Sequence, residues 1–183
     1  MLKSEDIVVI GAARTPMGNF GGTLKDLKCY DLGKEVIRGV LEKSSLSAEQ
    51  IDYVAGGNTR QAGNGPNPAR TAALKAGIGT DVHAVTINNA CPSSMKAAIM
   101  AAQNVMLGES NAVIVLGMES MSTIPFLIHG IRWTGIRFGV ESITTMRYSG
   151  LRSQTHRGQM SRFSSATVMS NMEEEPWNST QPS

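Results

Sequence analysis

Short strand-like segments alternate with segments of helical periodicity over most of the chain. Ile7–Ile10 is wholly apolar, as is typical of a short strand buried on both faces. The predicted strands are residues 7–10, 51–55, 82–88 and 112–116. Apolar positions recur at helical spacing in residues 32–41, 68–76 and 92–107. The alternation predicts an α/β fold with a mixed or parallel sheet that is covered by helices on both faces.

Residues that favour helix ends mark the boundaries of these helices. Asp31 can accept hydrogen bonds from backbone amides at the start of the first helix. Asn67 and Pro68 place an N-cap before a proline at the first position of the second helix, which Gly77 would end. The third helix, residues 92–107, is apolar on nearly all sides. We therefore expect the third helix to be buried between two layers.

The distribution of aliphatic residues divides the chain into two parts. Residues 1–143 contain 34 Val, Ile or Leu, whereas residues 144–183 contain two, together with 13 Ser or Thr. A segment this poor in aliphatic side chains cannot offset its ordering entropy by burial. We predict a domain over residues 1–139 and a divergent Ser/Thr-rich tail over residues 140–183. The tail is expected to be poorly ordered, the alternative being a lid that folds on a partner.

Charge and cysteine content exclude several classes of protein. The 17 Lys and Arg nearly balance the 15 Asp and Glu, so no concentrated basic patch for nucleic acid or a membrane surface is expected. Two cysteines cannot form a disulfide framework, and no Cys/His cluster has zinc spacing. No apolar run is long enough to span a membrane, and no signal peptide is visible. These features predict a cytoplasmic protein.

The glycine clusters do not form a familiar phosphate-binding motif. Residues 11–16 follow the first predicted strand but lack the GxGxxG pattern, and GxxxxGK[ST] does not occur. A dinucleotide or nucleoside-triphosphate site is therefore not expected. Gly56 and Gly57 are predicted to end the second strand in a turn.

Cys91 is the residue best placed for chemistry. It lies between the third predicted strand and the third predicted helix. At that position the positive end of the helix would stabilise a thiolate, and free N–H groups could hold an oxyanion on an attached acyl group. Position alone leaves open whether Cys91 is such a nucleophile or an inert buried cysteine. Cys29, just before a predicted surface helix, is expected to be structural.

A cysteine hydrolase is a further hypothesis for the same residue. It would require a histidine base close to the nucleophile. The available histidines are His83, His129 and His156. No motif pairs any of them with Cys91, so this hypothesis is disfavoured.

Four segments resemble motifs of the thiolase family and occur in the same order along the chain. They are VIGAARTPMGNFGG (residues 9–22), QAG with NPAR (61–63 and 67–70), NNACPSSMKA (88–97) and GMESMS (117–122). The third resembles the segment around the acyl-accepting cysteine of thiolases, which falls at Cys91. The resemblance covers about 130 residues and fades after Gly139. It implies the N-terminal half of a thiolase, within a five-layered αβαβα arrangement of two similar halves.

The resemblance also implies an activity. Thiolases transfer acyl groups between coenzyme A thioesters by a Claisen condensation or by thiolysis, through an acyl group on a cysteine. The expected function is therefore that of an acetyl-CoA acyltransferase with Cys91 as the catalytic nucleophile. Acyl-CoA molecules are the implied substrates, and no metal or redox cofactor is implied. The backbone N–H of Cys91 is a candidate oxyanion donor.

The sequence departs from the thiolase pattern at two points. Pro92 stands where family members usually have a non-proline residue, and it restricts the backbone of Cys91. The Gly-His-Pro and Asn-Glu-Ala-Phe motifs, and a cysteine after Cys91, do not occur in this sequence. We therefore expect slow acylation with poor turnover by this chain alone.

The same departures raise a hypothesis from a different class. The apolar third helix would lack the layer that covers it, and large exposed apolar patches drive association. We expect a homo-oligomer or pairing with thiolase subunits. The alternative function is a non-catalytic module that binds full-length thiolase subunits.

Overall fold

The computed structural model describes residues 6–127 and 163–171. Along this part of the chain the elements are β1 (Ile7–Arg14), α1 (Cys29–Ser44), β2 (Tyr53–Gly57), α2 (Pro68–Ala76), β3 (His83–Ile87), α3 (Ser93–Met106), β4 (Ala112–Glu119) and β5 (Phe163–Asn171). Short 3₁₀ turns at Ala48–Gln50 and Met121–Thr123 follow α1 and β4. All four predicted strands and all three predicted helices are present, and β5 is additional.

The strands form a mixed sheet with the order β1-β5-β4-β2-β3. Strand β2 is parallel to both of its neighbours, and Gly57 lies opposite Ile87 of β3 and Gly117 of β4. Strand β5 is antiparallel to β1 and to β4. The carboxyl ends of β2, β3 and β4 therefore lie at one edge of the sheet. In α/β proteins this edge is where ligands usually bind.

Helices cover both faces of the sheet, as predicted. Successive residues of a strand point to opposite faces. Val54 and Ile114 accordingly belong to a core with α1 and α2, while Ala55 and Val113 belong to a second core with α3. None of the helices within residues 6–127 and 163–171 combines the length and the apolar character needed to cross a membrane.

The ends of α2 agree closely with the prediction, and the start of α1 differs from it. The side chain of Asn67 accepts a hydrogen bond from the Arg70 N–H at 3.0 Å, and Gly77 ends α2 in the left-handed conformation with φ +101°. Helix α1 begins at Cys29 rather than after Asp31. Asp31 instead lies in the first turn and accepts a hydrogen bond from the Lys28 N–H at 3.3 Å. A carboxylate in a first turn stabilises a helix start without being its cap.

Gly56 and Gly57 lie inside β2 rather than in the predicted turn. A Cβ atom on Gly56 would meet the Ala69 Cβ of α2 at 2.5 Å, and one on Gly57 would meet the Ser94 nitrogen of α3 at 2.5 Å. Gly117 of β4 also has no room for a side chain, because its Cβ would overlap Ser94 Oγ. Glycine within a strand often marks such a close backbone approach. These glycines set the distance between the helices and the sheet.

Helix α3 is covered on one face, and not on all sides as predicted. Ala97, Ala101 and Val105 are fully buried against the sheet. On the outer side, Met95 is 68% exposed and Met106 is 73% exposed. The helix is apolar on both sides, but no segment of the described chain packs on the outer one.

Strand β5 lies within the segment predicted to be poorly ordered, so that prediction does not apply to residues 163–171. Ala166 and Val168 are buried in the core with α1 and α2. The strand pairs on both sides, which satisfies its backbone groups. Thr167 and Val168 are β-branched residues that favour strands, and an aliphatic count over 40 residues conceals so short a segment. The rest of the predicted tail, residues 140–162 and 172–183, lies outside the described residues.

We predict that Gly57→Ala destabilises the fold. Its methyl group would press on the backbone of Ser93 and Ser94, which cannot move aside as a flexible side chain can. The free energy of unfolding in urea should fall by about 1–3 kcal/mol. Gly39→Ala is the matched control, because its Cβ would meet Ala13 Cβ at an ordinary 3.7 Å. Alanine there should stabilise α1 by about 0.5–1 kcal/mol. Unchanged stability of Gly57→Ala would contradict the close approach.

Candidate active site

Three polar segments meet at the carboxyl ends of the parallel strands. Residues 58–60 follow β2, residues 88–91 follow β3, and Glu119 is the last residue of β4. The N–H of Asn58 donates to the Ile87 carbonyl at 3.1 Å. The Asn58 side-chain amide donates to the Met118 carbonyl at 2.9 Å. Asn58 therefore joins the end of β2 to the ends of both of its neighbours.

A strained turn stands directly before Cys91. Ala90 has φ +53°, which costs a residue with a side chain about 1–2 kcal/mol. Its carbonyl accepts hydrogen bonds from the Ser93 N–H at 3.1 Å, from Ser93 Oγ at 2.5 Å and from Thr59 Oγ1 at 2.9 Å. The Ala90 N–H donates to the Asn88 side chain at 3.1 Å, and Asn88 Nδ2 donates to the Thr59 carbonyl at 2.9 Å. These bonds hold the turn in its unusual conformation.

Cys91 lies exposed at the end of this turn, between β3 and α3. Helix α3 begins at Ser93, so Pro92 is the N-cap residue rather than the first helical residue that the sequence predicted. Proline without an N–H fits a cap as well as a first turn, because the amides there have no partner within the helix. No backbone carbonyl in the described part of the chain accepts a hydrogen bond from the Cys91 N–H. That amide remains available to a ligand oxygen.

Cys29 has the opposite environment. It is fully buried in the core under α1. Burial raises the pKa of the Cys29 thiol to about 12, and the nearby Glu119 carboxylate adds to the increase. Although Cys29 is the first residue of a helix, desolvation outweighs any stabilisation of a thiolate by the helix. The buried position of Cys29 therefore agrees with the expectation that this cysteine is structural.

The structure does not pair a described histidine with Cys91. His83 is the first residue of β3, whereas Cys91 follows the far end of that strand. At about 3.3 Å per residue, His83 is roughly 13 Å from the last residue of β3. His129 and His156 lie outside the described residues. Within residues 6–127 and 163–171, no three His, Cys, Asp or Glu side chains are grouped as a metal site requires.

Sequence reasoning missed the carboxylate of Glu119. Its oxygens accept hydrogen bonds from the Asn58 side-chain amide at 3.0 Å, from the Thr59 N–H at 3.0 Å and from the Arg60 N–H at 3.3 Å. A pattern in the sequence could have revealed the group. Asn58, Asn88 and Glu119 each lie at the end of a predicted strand or within three residues after it, and the carboxyl ends of parallel strands converge.

Comparison with known proteins identifies the family that the fold and this edge of the sheet suggest. The family model described as "Thiolase, N-terminal domain" matches residues 7–170. The chain therefore belongs to the thiolase family. The match continues past residue 139, where the predicted domain ends, and includes all but the last residue of β5.

Relatives of this chain include a probable acetyl-CoA acyltransferase of Staphylococcus aureus (strain NCTC 8325 / PS 47). It is 41% identical over 156 residues, which cover 83% of this chain and 39% of the relative. The chain therefore spans about two fifths of the length of the curated relatives it matches.

Two solved structures are similar to the chain over most of its length. One is an acetyl-CoA acetyltransferase from Syntrophomonas wolfei, with a TM-score of 0.68 and 34% identity, covering 74% of this chain and 34% of that one. The other is the Acat5 thiolase from Ascaris suum in complex with coenzyme A. Its TM-score is 0.66 and its identity 39%, covering 68% of this chain and 33% of that one.

We predict that iodoacetamide at pH 8 modifies Cys91 and leaves Cys29 unmodified in the folded protein. With a pKa of about 12, Cys29 has a thiolate fraction of roughly 10⁻⁴ at this pH, and it is also buried. Peptide mapping by mass spectrometry would locate the label. Cys91→Ser should take up no label until guanidinium unfolds it. Comparable labelling of the two cysteines under native conditions would contradict the assignment.

Proposed function

We propose that this chain carries the acyl-accepting nucleophile of a thiolase-type acyltransferase, and that Cys91 is this nucleophile. The position of Cys91 is the observation that supports the proposal. The residue is exposed, it follows a turn fixed by hydrogen bonds, and it precedes α3 at the carboxyl edge of three parallel strands. Family membership makes acyl transfer the favoured chemistry for a cysteine at this position.

In the proposed reaction, Cys91 Sγ attacks the carbonyl carbon of an acyl-CoA thioester. A new carbon–sulfur bond to Cys91 forms, the bond to coenzyme A breaks, and coenzyme A leaves as a thiol with the proton from Cys91. The negative oxygen of the tetrahedral intermediate would be stabilised by the free Cys91 N–H and by the positive end of α3. No oxidation state changes in this step, so it requires no redox cofactor. We propose that coenzyme A thioesters are the substrates and that the reaction proceeds without a metal.

The second half of a Claisen condensation requires a base that removes a proton from acetyl-CoA. Among the described residues, Cys29 is buried with a raised pKa and His83 is at the opposite edge of the sheet. Neither is placed to act beside Cys91. Loss of one member of a catalytic set can cost several powers of ten in rate. We therefore propose that this chain alone is acylated slowly and turns over poorly.

Acetylation by acetyl-CoA tests this function. Intact-mass analysis should show the slow addition of one acetyl group to the purified chain, and peptide mapping should place it on Cys91. Cys91→Ala should remain unmodified, whereas Cys29→Ala is the matched control and should be acetylated like wild type. Absence of acetylation on Cys91 would overturn the proposed nucleophile. Sustained cleavage of acetoacetyl-CoA at ordinary enzyme rates would overturn the proposed poor turnover.

Association with another thiolase-family subunit is a second candidate function, and the outer face of α3 favours it. Met95, Ile99 and Met106 are exposed there at spacings of four and seven residues, which place them on one side of the helix. An apolar stripe of this kind is a packing surface for another helix. In this alternative the chain would bind a thiolase subunit without acting as an enzyme.

We predict that Ile99→Glu abolishes association if α3 is the binding surface, because it places a charge in the apolar stripe. Copurification with a full-length thiolase, followed by light scattering, would measure it. Leu74→Glu is the matched control, since Leu74 is a similarly exposed apolar residue on α2. Equal loss of binding in both variants, or in neither, would exclude α3 as the contact.

A further inference from the structure

Glu119 is connected to the residue before Cys91 by a short chain of hydrogen bonds. Its carboxylate binds the backbone N–H groups of Thr59 and Arg60 and so holds residues 58–60 across the end of the sheet. Thr59 then donates through its hydroxyl to the Ala90 carbonyl at 2.9 Å. Two hydrogen-bonded steps therefore separate the carboxylate from the peptide unit that leads into Cys91.

The same carboxylate fixes the neighbouring strand ends. Glu119 accepts from the Asn58 side-chain amide at 3.0 Å, and that amide also donates to Met118. The N–H of Asn58 bonds to the last residue of β3. Hydrogen bonds to an ionised acceptor are roughly twice as strong as neutral ones. A negative charge thus holds together the three strand ends from which the turn before Cys91 departs.

The hydrogen-bonded chain from Glu119 to the Ala90 carbonyl matters because Ala90 has an unfavourable backbone conformation. A residue in the left-handed region persists only when its surroundings hold it there. Ser93 supplies two of the bonds to the Ala90 carbonyl and belongs to α3, whereas Thr59 supplies the third from β2's side. Removal of the third bond leaves the Ala90 carbonyl bonded to Ser93 of α3 alone, while Asn88 still bonds to the Thr59 carbonyl. The direction of the cysteine relative to the sheet edge then becomes less defined.

We propose that Glu119 is a positioning residue for Cys91, which acts through Thr59 on the turn at Ala90. The inference rests on the proposed function of Cys91 as the acyl acceptor. If Glu119 has this role, its loss should slow acetylation by acetyl-CoA, which depends on the direction of the Cys91 sulfur. Alkylation by a small reagent, which depends only on the exposure of the sulfur, should change little. A misplacement of about 1 Å can lower a rate by up to a hundredfold.

The test compares two reactions of Cys91 in the full chain. Glu119→Gln and Thr59→Val should each slow acetylation by acetyl-CoA roughly tenfold or more. Alkylation of Cys91 by iodoacetamide, a small reagent that needs no fixed approach, should change less than about threefold. Thr59→Ser, which returns the hydroxyl, should restore most of the acetylation rate. Glu42→Gln, the same change at an exposed position of α1, is the matched control and should behave like wild type.

The double variant Glu119→Gln/Thr59→Val distinguishes one pathway from two. If both residues act through the Ala90 carbonyl, the double variant should be no slower than the slower single variant. Multiplied losses would overturn the proposed connection. Alkylation of the buried Cys29 reports general unfolding, and its appearance together with slow acetylation would overturn a positioning role in favour of a structural one.

Hydrogen exchange separates failure of this inference from failure of the proposed function. The amides of Asn89 and Ala90, which donate hydrogen bonds within the turn, should exchange faster in Glu119→Gln and in Thr59→Val, while those of α1 should be unchanged. Wild type that is not acetylated would overturn the proposed function, whatever the exchange result. Wild type that is acetylated, with variants equal to it in both acetylation and exchange, would overturn the role of Glu119 alone.

Discussion

The contact between the first turn of α3 and the glycines of β2 and β4 is the constraint on which the site depends. Gly57 and Gly117 lie opposite each other in adjacent parallel strands, and Ser94 packs against both. A side chain at either glycine would push the helix away from the sheet. Because Cys91 precedes this helix by two residues, the close packing affects the distance between the Cys91 sulfur and the carboxyl ends of the strands. The absence of side chains at two glycines thus helps to set the position of Cys91.

The two cysteines differ in burial, and Cys29 shows that a position at a helix start is not sufficient to lower the pKa of a thiol. Cys29 is the first residue of α1, yet its side chain is buried in the core and its pKa is raised to about 12. Cys91 lies outside its helix and is exposed. Desolvation disfavours the charged form by more than a helix terminus favours it when the group is fully buried. The turn at Ala90 leads directly into Cys91 and is held by bonds to both α3 and residue 59.

Periodicity and end signals in the sequence were enough to predict four of the five described strands, the three helices and a mixed or parallel sheet. The boundaries of α2 follow from Asn67, Pro68 and Gly77 because each residue has one strong local preference. Three features were not predictable in the same way. In the sequence, Gly56 and Gly57 resemble a turn. The reason for them is close packing against α2 and α3, which is a tertiary property that local sequence does not show. The carboxylate of Glu119 and its partners are about 60 residues apart in sequence, so only the parallel register of β2 and β4 brings them together. Strand β5 has few aliphatic residues, and its two neighbours in the sheet, rather than its composition, give it order.

The insertion of β5 between β1 and β4 has a consequence for how the protein assembles. Among the described strands β1 pairs with β5 alone, and Ile7 lies opposite Asn171. During synthesis β1 therefore emerges long before β5, the strand with which it pairs in the described part of the chain. Pairing over so long a separation closes a large loop, and such topologies fold slowly. In the meantime β1 can pack against α1, while the apolar surface that β5 later covers stays open to chaperones or to other chains.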